Sequence, residues 1–261
     1  MSIPPDETLK TAVITGVVYP PAAAGSRLGD QKLWTLSFQL RPWRFKGHPL
    51  DEREIRIEKP GLSNEELKVW MGRIKAYQLI SVHVLMLEGE HLRAEVIEFL
   101  DFDPTDDELA NCASDLQKPL IQQDPLFGEL TYTRSVNWWE GFTKWDSKEV
   151  KVRFTPDDSD NLEPSLLTGR TLWEAQKDWA PRIQEFAVKK LLPLKNSAWL
   201  DEDEKELTPK TFLSKMSIES ISIQSDGKFS FWFHDGDLFF GHMIHVDGSL
   251  KEGITDAGIA G

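Results

Sequence analysis

Apolar and polar residues alternate through most of this chain, the mark of strands with one face in a core, and a three-and-four spacing replaces that alternation in a few segments. Residues 9–19, L-K-T-A-V-I-T-G-V-V-Y, are β-branched and apolar, and Pro20-Pro21 ends them, which predicts a first strand. Residues 33–40 put Trp34, Leu36, Phe38 and Leu40 on one face, with Arg41-Pro42 as the stop, and E-I-R-I-E around Ile55 and Ile57 gives a third strand. Ser63-Asn64-Glu65-Glu66 is a capping box. It opens a helix whose buried stripe is Leu67, Trp70, Met71, Ile74 and Tyr77. Strands over 79–87 and 92–100 follow. Three strands, a helix and two strands is the order of an OB-like five-stranded β-barrel with one helix, so residues 1–100 are expected to form that domain.

Residues 101–110, D-F-D-P-T-D-D-E-L-A, space carboxylates two apart but lack the glycine and closing glutamate of a calcium-binding EF-hand loop. The expectation for 101–123 is an acidic linker with a short helix around 108–116. From 124 to 261 an α+β domain is expected, an antiparallel sheet with two or three helices. Strands are predicted over 126–134, 136–142 and 149–154. A second capping box, Thr171-Leu172-Trp173-Glu174, opens a helical segment that Pro181 must kink or divide, with Trp173 and Trp179 in the core.

The chain closes on a predicted four-stranded meander. Asp226-Gly227, Asp235-Gly236 and Asp247-Gly248 are two-residue turn signals, and they set strands over 217–225, 228–234, 237–246 and 249–254. Counting from the middle turn places His234 opposite Asp237, Trp232 opposite Phe239 and Phe229 opposite His242. His242 then shares a face with Leu238, Phe240 and Ile244, while His245 points the other way. His234 and His245 lie roughly 25 Å apart along this sheet. A zinc site needs all ligands about 2 Å from one atom, so no metal is expected among these histidines.

Composition narrows the function. The chain has 261 residues, 40% of them hydrophobic and 28% charged, as expected of a globular protein with a sizeable core. No apolar run is long enough to cross a bilayer as a helix, and the polar start M-S-I-P-P-D-E-T lacks the pattern of a signal peptide, so the cytoplasm is the expected compartment. The net charge is −13, with 13 basic and 18 acidic residues up to position 110 and 17 and 25 after it. Both halves repel nucleic acid and anionic membranes and attract a protein partner with a basic surface. The lone Cys112 excludes an internal disulfide and a thiolate zinc site.

Two groups of residues remain as candidates. His234, Asp235, Asp237 and His242 hold titratable groups near one turn, where a histidine oriented by a carboxylate is general-base chemistry. Arg41, Trp43 and Arg44, in R-P-W-R-F-K, combine cations with an aromatic face on which a base or sugar stacks. Each has a structural alternative, turn formation for the first and barrel-mouth packing for the second. No nucleophile elbow, phosphate-binding glycine loop or zinc-protease motif occurs, and no cofactor is expected.

The residues L-F-G-E-L-T-Y, N-W-W-E-G, D-G-D-L-F-F-G-H and the closing G-I-T-D-A-G-I-A-G resemble a bacterial domain-of-unknown-function family. That family shows a Leu-Gly-x-Leu-x-Tyr strand, a Trp-rich strand after it and a Gly-Asp-Leu-Phe-x-Gly-His signature; Phe127 stands here in place of the first leucine. The likeness spans about 126–261. It implies a bacterial, cytosolic α+β domain with no catalytic residues to carry over; toxin neutralisation as an immunity protein is a role suspected of related small acidic bacterial proteins. The sequence therefore favours a non-enzymatic protein-interaction module of immunity type. The alternative is an enzyme or small-ligand binder with its site between the domains or at the 234–242 meander.

Overall fold

A computed structural model describes residues 11–29 and 31–261, and the chain divides between Pro119 and Leu120 into two units. Leu9 and Lys10 of the expected first strand lie outside the described residues.

In the first unit, β1 (Thr11–Ser26) pairs with β2 (Trp34–Phe45), and β2 with β3 (Ile55–Leu62). Helix α1 (Asn64–Arg73) leads to β4 (Leu79–Leu87) and β5 (Arg93–Asp101). Parallel pairing of β3 with β5, and antiparallel pairing of β4 with both β5 and β1, closes the five strands into a ring. Ile14, Leu36, Leu40, Ile57, Val82 and Val84 fill it, all with 0% exposure. The α1 cap is as the sequence implied: the Ser63 hydroxyl accepts from the Glu66 amide, and the Glu66 carboxylate accepts from the Ser63 amide.

All three prolines expected to stop strands, Pro20, Pro21 and Pro42, lie inside longer ones. The register of β1 against β2 shifts between Gly16 and Val18, and again between Tyr19 and Ala23. Pro42 falls at the first irregularity and Pro20-Pro21 at the second, where an unpaired residue needs no donor. A bulge thus absorbs what periodicity alone reads as an end. The acidic stretch 101–123 ends β5, carries α2 (Asp107–Gln117) and begins β6. Asp106 caps α2 by accepting from the Leu109 amide, and Leu109 and Ala113 pack with Val17 and Leu79 of the ring.

The second unit is built on an eight-stranded sheet of β6 (Ile121–Asp124), β7 (Gly128–Thr133), β8 (Trp138–Trp145), β9 (Lys148–Phe154), β10 (Ser217–Ile223), β11 (Lys228–His234), β12 (Met243–Ser249) and β13 (Gly253–Ala260). The strands lie side by side in chain order. The sheet is mixed, not antiparallel as expected, because β9 pairs parallel to β10. A parallel neighbour needs a long crossover, and α3 (Glu163–Glu174), α4 (Gln176–Ala198) and α5 (Pro209–Lys215) supply it.

These helices share the core with Val152, Phe154, Ile221, Phe229, Phe231 and Val246, which alternate along their strands. Trp173 and Trp179 are in that core, 5% and 8% exposed. The second capping box does not form. Thr171 lies in the last turn of α3, its hydroxyl donating to the Leu167 carbonyl, and the helix break falls at Ala175, so Pro181 lies inside α4.

The meander register also differs from expectation. His234 faces Met243, Trp232 faces His245 and Phe229 faces Gly248. The residues between β11 and β12, 235–242, form an eight-residue loop where a two-residue turn was expected. Asp247-Gly248 is no turn either but lies within β12. A Cβ on Gly248 would stand 2.7 Å from the Phe229 ring, so glycine is required there for close packing.

Candidate functional site

The 235–242 loop owes its shape to one carboxylate. Asp235 is 4% exposed, and its Oδ1 accepts from the Asp237 amide at 3.1 Å while Oδ2 accepts from the amides of Phe239 at 2.6 Å and Gly241 at 3.2 Å. Around it the backbone makes two tight turns. Gly236 and Asp237 have φ of 56° and 70°, closed by the Leu238 amide donating to the Asp235 carbonyl. Phe240 and Gly241 have φ of 54° and 84°, closed by the His242 amide donating to the Phe239 carbonyl. Paired positive φ values are those of a type I′ turn. Gly236 has a second reason to be glycine, since a Cβ there would stand 2.3 Å from the Lys215 carbonyl oxygen.

This architecture separates the candidate residues. His234 is exposed at the end of β11, and Asp237 is exposed on the first turn. Asp235 points inward with its oxygens occupied by amides. His242 packs on Trp199 with ring centres 5.5 Å apart, and a Cβ on Gly261 would stand 3.2 Å from the His242 ring. The hydrogen bonds of the Asp235 carboxylate, among the described residues, go to backbone amides and not to a histidine. Among the described residues, no group of three or more His, Cys, Asp or Glu side chains is placed to hold a metal ion.

Two rings define what the loop does present. Phe239 is fully buried against Phe212 and Trp199. Phe240 is 54% exposed, its ring 5.5 Å from that of Trp199. Trp199 caps α4 and begins the acidic turn D-E-D-E-K-E of 201–206. That turn is tied down by Lys195, whose side chain is 1% exposed and whose ammonium donates to the Trp199 carbonyl at 2.6 Å and to Glu204 at 2.5 Å. The hydrogen bond from Lys195 holds the Glu204 carboxyl below the usual range. Neither Phe240 nor Trp199 was singled out from the sequence. The signal available was the second glycine, Gly241, which makes F-G a turn rather than strand.

The Arg41, Trp43 and Arg44 group is also dispersed. Trp43 is 2% exposed in the ring core, its indole N–H donating to the Arg53 carbonyl. Arg44 pairs with Asp106 at 2.6 Å and Glu108 at 3.0 Å, and Arg41 lies over the Tyr19 ring. Trp43 therefore offers no open face for stacking. A cleft of about 660 Å³ on the first unit is lined by Arg53, Arg56 and Arg93, but Asp51 pairs with the first and Glu58 with the other two. Its charge is balanced by its own carboxylates.

On the sheet face away from the helices, register places Glu140, Arg153, Ser222, Ser230 and Asp247 in one row. Arg153 donates to the Ser220 hydroxyl and lies over Trp138, and His245 bonds Asp247 at 3.0 Å beside the Trp232 ring. In the sequence His245 reads only as a candidate metal ligand, and its partner Asp247 reads as half of an Asp-Gly turn.

Residues 124–259, just over half of the chain, match the model of a family described as uncharacterized protein conserved in bacteria (DUF2262). The chain belongs to the DUF2262 family. The DUF2262 region begins at Asp124 and ends within β13, and so includes the whole 235–242 loop and the acidic turn beside it. Residues 8–116 match a second model, described as a domain of unknown function (DUF7021), which spans the five-stranded ring and nearly all of α2. No curated protein matches the chain. No helix among the described residues is long and apolar enough to cross a membrane.

Proposed function

We propose that this DUF2262 protein is a non-enzymatic protein-interaction module, acting in the cytoplasm and of immunity type, with a partner that presents a basic surface. One observation carries the reading. The 235–242 loop spends its buried carboxylate on three backbone amides and turns an aromatic ring outward, so it is built to hold a shape and not to move protons. The net charge of −13 supports a basic partner and works against nucleic acid and anionic lipid. In the first unit, the strand order and the parallel β3–β5 pairing support an OB-like barrel. The balanced charge of its cleft gives no reason to extend that fold's oligonucleotide binding to this chain. Immobilised full-length chain, challenged with a bacterial lysate at low salt, is expected to retain a protein that raised salt releases. A chain that retains nothing ends the interaction reading.

A further inference from the structure

We infer that Phe240 and the acidic turn after Trp199 together form the docking surface, and that its occupant is a protein segment offering an apolar socket rimmed by lysine or arginine. This inference rests on the interaction reading and gives it an address. Phe240 and Phe239 are neighbours with opposite fates, one 54% exposed and the other 0%. The outward ring is not a loose end. It is held at φ 54°, a conformation that bulky residues rarely adopt, by a turn that the Asp235 carboxylate and the Trp199 ring fix on either side. An exposed aromatic that is already immobilised loses little entropy on binding, which is the property of an interface anchor.

The chemistry of the rim follows from the adjoining turn. Asp201, Glu202 and Asp203 are exposed within four residues of Trp199; Lys195 is buried against Glu204, Lys215 also reaches Glu204, and Lys205 is exposed, so the 201–206 turn sets five carboxylates against one lysine of its own. The Glu204 amide donates to the Asp201 carbonyl at 3.0 Å, so the turn is closed as well as anchored. An acidic run alone reads as a solvated loop. Here it follows directly on Trp199, the ring against which the fixed Phe240 ring packs, and the pair asks for an apolar contact surrounded by positive charge. Nucleic acid and anionic membranes bring the wrong sign.

The test titrates full-length chain with a synthetic peptide of alternating lysine and leucine, followed by calorimetry, with polylysine and a glutamate–leucine peptide as comparators. The lysine–leucine peptide is expected to bind more tightly than either. Phe240→Gly removes the ring and relieves the left-handed backbone, so it is expected to weaken binding about tenfold without lowering the melting temperature. Neutralising the turn with D201N, E202Q and D203N is expected to weaken it about tenfold at low salt, with the difference shrinking at high salt. Neutralising the distant acidic loop with D158N and D160N is expected to change nothing.

Wild-type binding no tighter than to polylysine, Phe240→Gly binding as tightly as wild type, or equal losses from the two neutralised loops would each overturn the inference. The lysate experiment separates the two levels of the argument. Proteins retained equally by wild type and both surface variants refute this surface and leave the interaction reading standing, whereas a wild-type chain that retains nothing removes both.

Discussion

Replacing Asp235 should destabilise the 235–242 loop, in an order set by its three hydrogen bonds. Asp235→Ala leaves the Phe239 amide without an acceptor in a place where Phe239 is fully buried, a loss of about 1–3 kcal/mol. The amides of Asp237 and Gly241 belong to exposed residues and regain water, so each contributes about 0.5–1 kcal/mol. Relief from desolvating a buried carboxylate offsets part of this, and a net destabilisation of about 3 kcal/mol is expected. Asp235→Asn keeps one oxygen for Phe239 and Gly241 and turns an NH2 toward the Asp237 amide, which should cost about 1 kcal/mol. Asp237→Asn keeps a residue that tolerates positive φ and should stay within about 0.5 kcal/mol of wild type. Urea unfolding at constant m-value measures the order, and hydrogen exchange of the Phe239 and Gly241 amides reports the loop directly. Asp235→Ala within about 1 kcal/mol of wild type, with the Phe239 amide still protected, would refute the account of Asp235 as the organiser of the loop.

Two further substitutions probe the anchors of the second unit. Lys195→Met keeps the aliphatic stem but strands the Trp199 carbonyl and Glu204, so it should destabilise by about 2 kcal/mol and speed exchange across 199–207, measured by exchange mass spectrometry. Asp124 sets a pH dependence. Burial works to raise its pKa, but the Arg170 guanidinium at 2.8 Å and the amides of Phe127 and Leu126 outweigh it and hold the carboxyl below the ordinary range. A depressed folded pKa contributes stability that is complete above the unfolded value and is lost as pH falls through the folded one. Asp124→Asn should therefore be less stable than wild type at neutral pH and flatten the acid limb of a Tm against pH curve. An acid limb as steep as wild type would show that Asp124 does not carry it.

Much of the chain's local structure was legible from the sequence because local rules decide it. The Ser63 capping box, the succession of three strands, a helix and two strands, and the core positions of Trp173 and Trp179 follow from side-chain periodicity and from hydrogen bonds three residues apart. The match was weakest wherever one residue type serves two purposes. Proline reads as a stop, yet Pro42 and Pro20-Pro21 sit at bulges inside β2 and β1, because only the partner strand determines whether a donor is missed. Asp-Gly reads as a turn, yet Gly248 lies in a strand because the Phe229 ring passes over it, and Asp235-Gly236 opens a longer loop because a buried carboxylate collects three amides.

The candidate site was the part most dependent on the tertiary structure. Sequence located the 229–248 stretch and its histidines, but the register placed there by the assumed turn put Phe240 on a strand face and His242 among core residues. The structure moves both into the loop and brings Trp199, more than forty residues earlier in the chain, against them. Sequence alone determined the charge and most of the element types, since these are properties of composition and spacing. Which ring is buried and which faces water was decided only by folding, because one carboxylate turned inward fixes the path of a backbone whose local preferences allowed a hairpin instead.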